Sequence, residues 1–343
     1  MSSARILVFP DCGPRIGGGH VMRCLTLARA LTVRGAACAF AATPETQAVL
    51  EAFGAPDIEV LPIAGELEQA AATVANWASS WDADWVLLDH YFLDAAQEAA
   101  LRDGRRLAVI DDLADRPRGA DLLLDSAYGR TPDAYRPLLP PVAAILTGPA
   151  HAPVRPEFAA RREASLARRR EGGHLKHVLI SLGLTDVGGI TERVVRTLRP
   201  LLDGLILDVV IGSGAPSLAA LCAEAKTDPS LRLHIDSHDM AALMASADFA
   251  VGAGGSSTWE RAALGLPTVS VVLAHNQRAM AEAMAREGLI LTADAEAAGF
   301  EARLTDAVQQ LIGDAALRRA MSEASAAASD GLGAERFADA LLA

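Results

Sequence analysis

The chain has 343 residues, long enough for two domains of about 150 residues each. Hydrophobic residues make up 51% and aromatics only 4%, which describes an aliphatic core of Ala, Leu and Val and excludes a disordered polypeptide. The formal net charge of −12 argues against a nucleic-acid partner, because the densest basic run, Arg161-Arg162 with Arg168-Arg169-Arg170, is too short to dominate the field.

Along the first half, short β-rich runs appear at 4–11, 37–43, 58–63, 85–91, 106–112, 121–126 and 143–148. Helical patterns fill the gaps at 20–34, 44–53, 66–80 and 95–103. Continuous apolar strands separated by helices predict a parallel sheet covered on both faces. Residues 156–173, PEFAARREASLARRREGG, read as a charged helix ending in a glycine pair, and 159–173 is expected to be an interdomain linker. The alternation then restarts, with strands at 177–183, 205–212, 231–236, 248–254 and 268–273. Helices fall between them, with more near 276–287, 300–312 and 315–328. The expected organisation is α/β: two Rossmann-like, doubly wound domains, 1–158 and 174–320, facing a cleft. A C-terminal helical segment, 321–343, is expected to pack back on the first domain. Ligands in such sheets bind beyond the carboxyl ends of the strands.

Four cysteines, Cys12, Cys24, Cys38 and Cys222, are scattered and form no CxxC pair, so they read as small buried hydrophobes in a reducing compartment. The N-terminus lacks the pattern of a secretory signal, and no apolar stretch approaches the ~20 residues of a membrane span. A cytoplasmic protein without a membrane partner is expected. The eight histidines share no metal-ligand spacing, so neither metal nor cofactor is expected.

Residues 15–31 read RIGGGHVMRCLTLARAL. Gly17, Gly18 and Gly19 lie between the first strand and the first helix, where backbone amides at a helix start suit a phosphate. The stretch lacks the G-x-G-x-x-G spacing of a dinucleotide site. His20 opens the helix, and with an ordinary pKa of about 6.5 an imidazole there suits a base that takes a proton from water. A capping or packing histidine is the plainer alternative. Asp11, Asp89, Asp111 and Asp112 end strands on the same side. One of them could orient His20 or meet substrate hydroxyls, or each could simply cap a helix.

A second glycine-rich stretch, DFAVGAGGSSTWERAALGLP, spans 248–267. Gly254, Gly255, Ser256, Ser257 and Thr258 suit a phosphate, and Glu260 one turn later suits a ribose diol. Glu260 could also form a capping box with Ser257. Asn276 and Gln277, after the next strand, could reach a nucleotide or sugar, or cap the helix that follows.

Taken in order, RIGGGHVMRCLTLA (15–28), LLDHY (87–91), DDLADRP (111–117), DLLLD (121–125), RPEF (155–158), ISLGLTD (180–186), MAALMASADFAVGAGGSSTWERAALGLP (240–267) and NQ (276–277) resemble the UDP-sugar hydrolases of pseudaminic acid biosynthesis. That family is related to the MurG-type glycosyltransferases of GT-B fold. The resemblance runs over roughly residues 4 to 330. It implies His20 as the catalytic base, with Arg155 and Asn276 on the substrate; Gln277, Asp89 and Tyr91 are expected beside them. It places Gly254 to Thr258 on the diphosphate and Glu260 on the ribose, with a UDP-sugar as the only partner. Leu184, His151 and His275 depart from the family pattern and leave the identity of the sugar open. A GT-B glycosyltransferase, a hydrolysing UDP-sugar 2-epimerase and a non-catalytic nucleotide-sugar-binding protein are the alternatives.

Overall fold

The computed structural model describes residues 3–13, 17–53, 58–63, 67–93 and 95–343. Arg15 and Ile16 of the opening motif, and the first residue of the helix expected at 66–80, lie outside the described residues. The chain divides into two compact units, one of residues 1–153 with 332–343 and one of residues 154–331.

The first unit runs β1 (Arg5–Pro10), α1 (Gly19–Val33), β2 (Ala37–Ala42), α2 (Pro44–Phe53), β3 (Glu59–Pro62), α3 (Leu67–Ser80), β4 (Trp85–Asp89), α4 (Ala95–Arg102), β5 (Arg106–Ile110), β6 (Leu122–Asp125) and β7 (Ala144–Thr147). The sheet order is β3-β2-β1-β4-β5-β6-β7, and every neighbouring pair is parallel. Along β1, Ile6 and Val8 join one buried cluster with Val21, Leu25 and Leu31 of α1, while Leu7 and Phe9 join another on the opposite face. Burial on both faces is why these strands read as unbroken apolar runs instead of alternating ones.

The second unit runs α5 (Pro156–Glu171), β8 (His177–Ser181), α6 (Ile190–Leu198), β9 (Ile206–Ile211), α7 (Leu218–Ala225), β10 (Leu231–Ile235), α8 (Met240–Ser246), β11 (Phe249–Ala253), α9 (Ser257–Ala263), β12 (Thr268–Val272), α10 (His275–Arg286), β13 (Leu291–Asp294), α11 (Phe300–Gly313) and α12 (Ala315–Ala328). Its order is β10-β9-β8-β11-β12-β13, again all parallel. Both sheets are therefore doubly wound. The order reverses between β1 and β4 in one and between β8 and β11 in the other, the switch points where such folds bind ligands. The edge strand β13 is additional to the five strands expected here. Four residues are too few for a periodicity to declare itself.

The expected linker at 159–173 is corrected. These residues belong to α5 and its C-terminal cap, inside the second unit. Arg162 donates to the carbonyls of Ala263 (2.6 Å), Ala326 (2.6 Å) and Ser329 (2.9 Å). Arg169 donates to those of Met244, Ala247 and Leu264, each at 3.0 Å. The charges that suggested a solvated spacer instead satisfy orphan carbonyls at the C-termini of α8, α9 and α12. Burial brings the Arg169 guanidinium down to about 9. The division thus falls at 153/154 instead of 158, and α12 stays with the second unit. Only α13 (Gly333–Leu342) joins the first, where Phe337 and Leu341 enter the cluster that holds α1.

Candidate functional site

In the first unit the site forms where β1 and β4 lie side by side. Pro10 is in register with Asp89, and the Asp11 amide donates to the Asp89 carbonyl at 2.9 Å. The chain leaves β1 and returns through Gly17, whose φ of 76° lies in the left-handed region that favours glycine. Gly17 bonds back to the Gly13 carbonyl at 2.7 Å. Gly18 is the N-cap of α1 and offers no side chain to cap with; Gly19 is the first helical residue. The next residue is His20, 7% exposed.

His20 Nδ1 lies 2.7 Å from Asp89 Oδ1 and 3.2 Å from the Asp89 carbonyl. Arg23 Nη2 also lies 3.4 Å from Nδ1. In the neutral ring, the short contact to the Asp89 carboxylate favours the proton on Nδ1, and Nε2 is then the nitrogen with the lone pair. Asp89 in turn receives Arg23 in bidentate fashion, Nε to Oδ2 and Nη2 to Oδ1, both at 2.5 Å. Burial alone would raise the Asp89 carboxyl, but Arg23 and then His20 outweigh it and hold the group well below the usual carboxylate range. Arg23 also reaches Asp112 Oδ2 at 3.3 Å, and the Tyr91 hydroxyl donates to that same oxygen at 3.1 Å. The Tyr91 ring meets His20 edge-on, with centroids 4.8 Å apart.

Asp89, expected among the substrate contacts, is 1% exposed, and Arg23 and His20 occupy its oxygens. With both oxygens paired and the side chain buried, Asp89 offers no exposed surface to a sugar in this structure. Arg23 and Asp112 complete the cluster. Arg23 is not among the residues the motifs single out, although its place three residues after His20 on one helix face signals the contact.

In the second unit, Gly254 to Thr258 follow β11 at the switch point, as α1 follows β1 in the first. Gly255 is exposed, Ser256 and Ser257 are half-buried, and Thr258 is buried. The Ser257 and Thr258 hydroxyl oxygens accept from Arg261, and each keeps its O–H as a donor. The capping-box alternative for Glu260 is not what forms: the N-cap, Ser256, makes no side-chain cap, and Glu260 Oε1 accepts from Arg155 Nε at 2.7 Å. Arg155 stacks over Phe158 at 4.9 Å and lies 3.4 Å from Glu157. Burial would lower the Arg155 guanidinium, but Glu260 and then Glu157 outweigh it and raise it. Arg155 and Glu260 are thus brought together within the second unit. Gln277 Oε1 accepts from the Leu273 amide at 3.0 Å and lies against Gly254, while Asn276 is exposed at the start of α10. Among the described residues no helix is long and apolar enough to cross a membrane.

No family model matches the chain. It is 24% identical over 287 residues to the UDP-2,4-diacetamido-2,4,6-trideoxy-β-L-altropyranose hydrolase of Campylobacter jejuni, covering 83% of this chain and 97% of that one. It is 25% identical over 291 residues to the spore coat polysaccharide biosynthesis protein SpsG of Bacillus subtilis, covering 83% and 82%. Among solved structures, MurG of Acinetobacter baumannii superimposes with a TM-score of 0.69 at 16% identity, covering 99% of both chains. MnaA of S. aureus, solved with UDP, gives 0.65 at 15% identity, covering 98% of this chain and 96% of that one. The resemblance read from the motifs therefore holds: the chain has the GT-B fold of the MurG-type enzymes and is a distant relative of the Campylobacter hydrolase.

Proposed function

We propose that this enzyme acts on a UDP-linked diacetamido-trideoxy hexose and hydrolyses it to UDP and the free sugar, the step its motifs imply in pseudaminic acid biosynthesis. The observation that carries the reading is the His20–Asp89–Arg23 chain. Arg23 keeps Asp89 ionised, Asp89 keeps the His20 proton on Nδ1, and Nε2 is left as a base. UDP is a competent leaving group, so the barrier lies in placing water and spreading charge. His20 Nε2 takes a proton from water as its oxygen bonds to the anomeric carbon. The bond from that carbon to the diphosphate oxygen breaks, and its electron pair leaves with UDP. Attack opposite the leaving group inverts the anomeric centre. The Gly254–Thr258 segment receives the diphosphate, Glu260 the ribose, and Arg155, Tyr91, Asn276 and Gln277 the remainder of the substrate.

The test is the purified chain with the diacetamido UDP-sugar and no acceptor, followed by proton NMR at the anomeric and C2 protons. UDP release with an unchanged C2 centre is the expected result. Release only when an acceptor is supplied identifies a glycosyltransferase. Inversion at C2 identifies an epimerase, and binding without turnover a nucleotide-sugar-binding protein.

A further inference from the structure

Arg261 carries a buried charge with no carboxylate in direct contact, and burial outweighs the adjacent Glu260 carboxylate acting on it. It is 2% exposed and heads the fully buried side chains by volume. Its Nη2 donates to the Ala253 carbonyl at 2.7 Å and to Thr258 Oγ1 at 3.1 Å, and its Nη1 donates to Ser257 Oγ at 3.0 Å. Nε makes no hydrogen bond. Among the described residues no carboxylate comes within 4.0 Å of it; the adjacent Glu260 is paired with Arg155. The chain makes room for this group at a second position. A Cβ on Gly252 would stand 2.6 Å from Nη1 and 2.8 Å from Cζ, so the penultimate residue of β11 lacks a side chain where the guanidinium lies.

Burying a guanidinium without a counter-ion is costly, and a neutral donor could serve the same three acceptors. The positive charge is therefore the feature to explain. Its three bonds hold the Ala253 carbonyl and the Ser257 and Thr258 hydroxyl oxygens, which bracket the Gly254–Thr258 segment, and so fix that segment's backbone. We propose that Arg261 is a positioning residue for this segment, and that the counter-ion of its buried charge is the diphosphate of the bound nucleotide. The proposal rests on the UDP-sugar reading above and deepens it. Affinity should be concentrated in the phosphates of the ligand and depend on a side chain that does not itself reach the surface.

Calorimetry of uridine, UMP and UDP on the full chain tests this. Wild-type affinity should climb with each phosphate. Arg261→Gln should cut UDP affinity by about tenfold or more while changing uridine affinity by less than about threefold. Arg261→Lys, which keeps the charge, should hold the UDP-to-uridine ratio within about threefold of wild type. If Arg261→Gln does not fold, Gly252→Ala displaces the guanidinium by another route and should lower the same ratio. An unchanged ratio in Arg261→Gln or Gly252→Ala overturns the proposal, as does a lysine variant that loses the ratio as fully as the glutamine. A wild-type chain that binds no UDP overturns the substrate reading and this inference with it.

Discussion

His20 Nδ1 stands 2.7 Å from Asp89 Oδ1, and both oxygens of that carboxylate are held by the Arg23 guanidinium. The imidazole is thereby held against a group that is itself held, which is the arrangement the proposed base requires.

Two substitutions separate the base from its support. His20→Asn should retain the fold and UDP binding and lose about 10²–10⁴-fold in kcat. Asp89→Asn should lose activity over a similar range with His20 intact, because the amide can present its N–H to Nδ1 and reverse the tautomer. Steady-state kinetics with UDP affinity measured alongside check both; wild-type turnover in Asp89→Asn removes the pair from the reaction.

The same carboxylate makes a stability prediction with a definite sign. Asp89 is held well below its unfolded value, so its contribution is complete above about pH 4 and is lost as pH falls through the folded value. Asp89→Asn removes the bidentate partner of Arg23 and leaves it only the 3.3 Å carboxylate contact with Asp112, which should cost about 3 kcal/mol at pH 7. The gap between variant and wild type should stay level from pH 7 to pH 5 and narrow below pH 4. Urea titrations at pH 7, 5 and 3 read it; a gap that widens toward pH 3 contradicts the ion-pair account.

His90 titrates in a different window. Its ring is 2% exposed, tilted against Phe9 at 4.2 Å, with both nitrogens unpartnered and Asp11 Oδ2 no nearer than 3.9 Å. Burial drives its pKa down to about 3. Below about pH 6.5 the unfolded chain binds a proton that the folded chain refuses, so stability falls on acidification toward the folded value. His90→Leu should match wild type near pH 7 and gain on it by roughly 1 kcal/mol per pH unit between pH 6 and 4. Parallel stability curves across that range would show that His90 does not titrate differently in the two states.

These residues also show what was legible beforehand. The strands of the first unit could be read because burial on both faces writes an apolar run into the chain, and the G-G-G-H bend could be read because few other residues suit it. What no run of letters states is which way a strand-end carboxylate points. Asp89 ends β4 on the side of α1, the next residue His90 lies against Phe9, and only packing distinguishes a buried ion pair from a sugar contact. Charge misled at α5 for the same reason: Arg162 and Arg169 look solvated in sequence and spend their donors on the ends of three helices. Arg261 gives no pattern in sequence, because only the fold brings its three acceptors to it.

The Arg155–Glu260 pair admits a double-substitution test. If Glu260 holds the ribose, Glu260→Ala should weaken UDP and UDP-sugar alike by about 1.5–3 kcal/mol. In an Arg155→Ala background the loss should persist, since the ribose contact does not pass through Arg155. Should the loss vanish in that background, Glu260 serves only to hold Arg155 at 2.7 Å, and the ribose contact belongs elsewhere.

The bond that breaks gives the last prediction. A base whose proton is locked on the inner nitrogen can take one from water only at the outer one, Nε2, and water activated there is placed for carbon if His20 serves the sugar end of the substrate. Hydrolysis in ¹⁸O-enriched water should then put the label on the anomeric hydroxyl and leave UDP unlabelled. The first-formed sugar should carry the inverted anomeric configuration, visible by proton NMR before mutarotation mixes the anomers. Attack at phosphorus predicts the reverse: label in UDP and retention at carbon, because the sugar–oxygen bond never breaks. Label in UDP would remove His20 Nε2 from the role its Asp89 and Arg23 neighbours prepare, and with it the reason for a histidine at the end of three glycines.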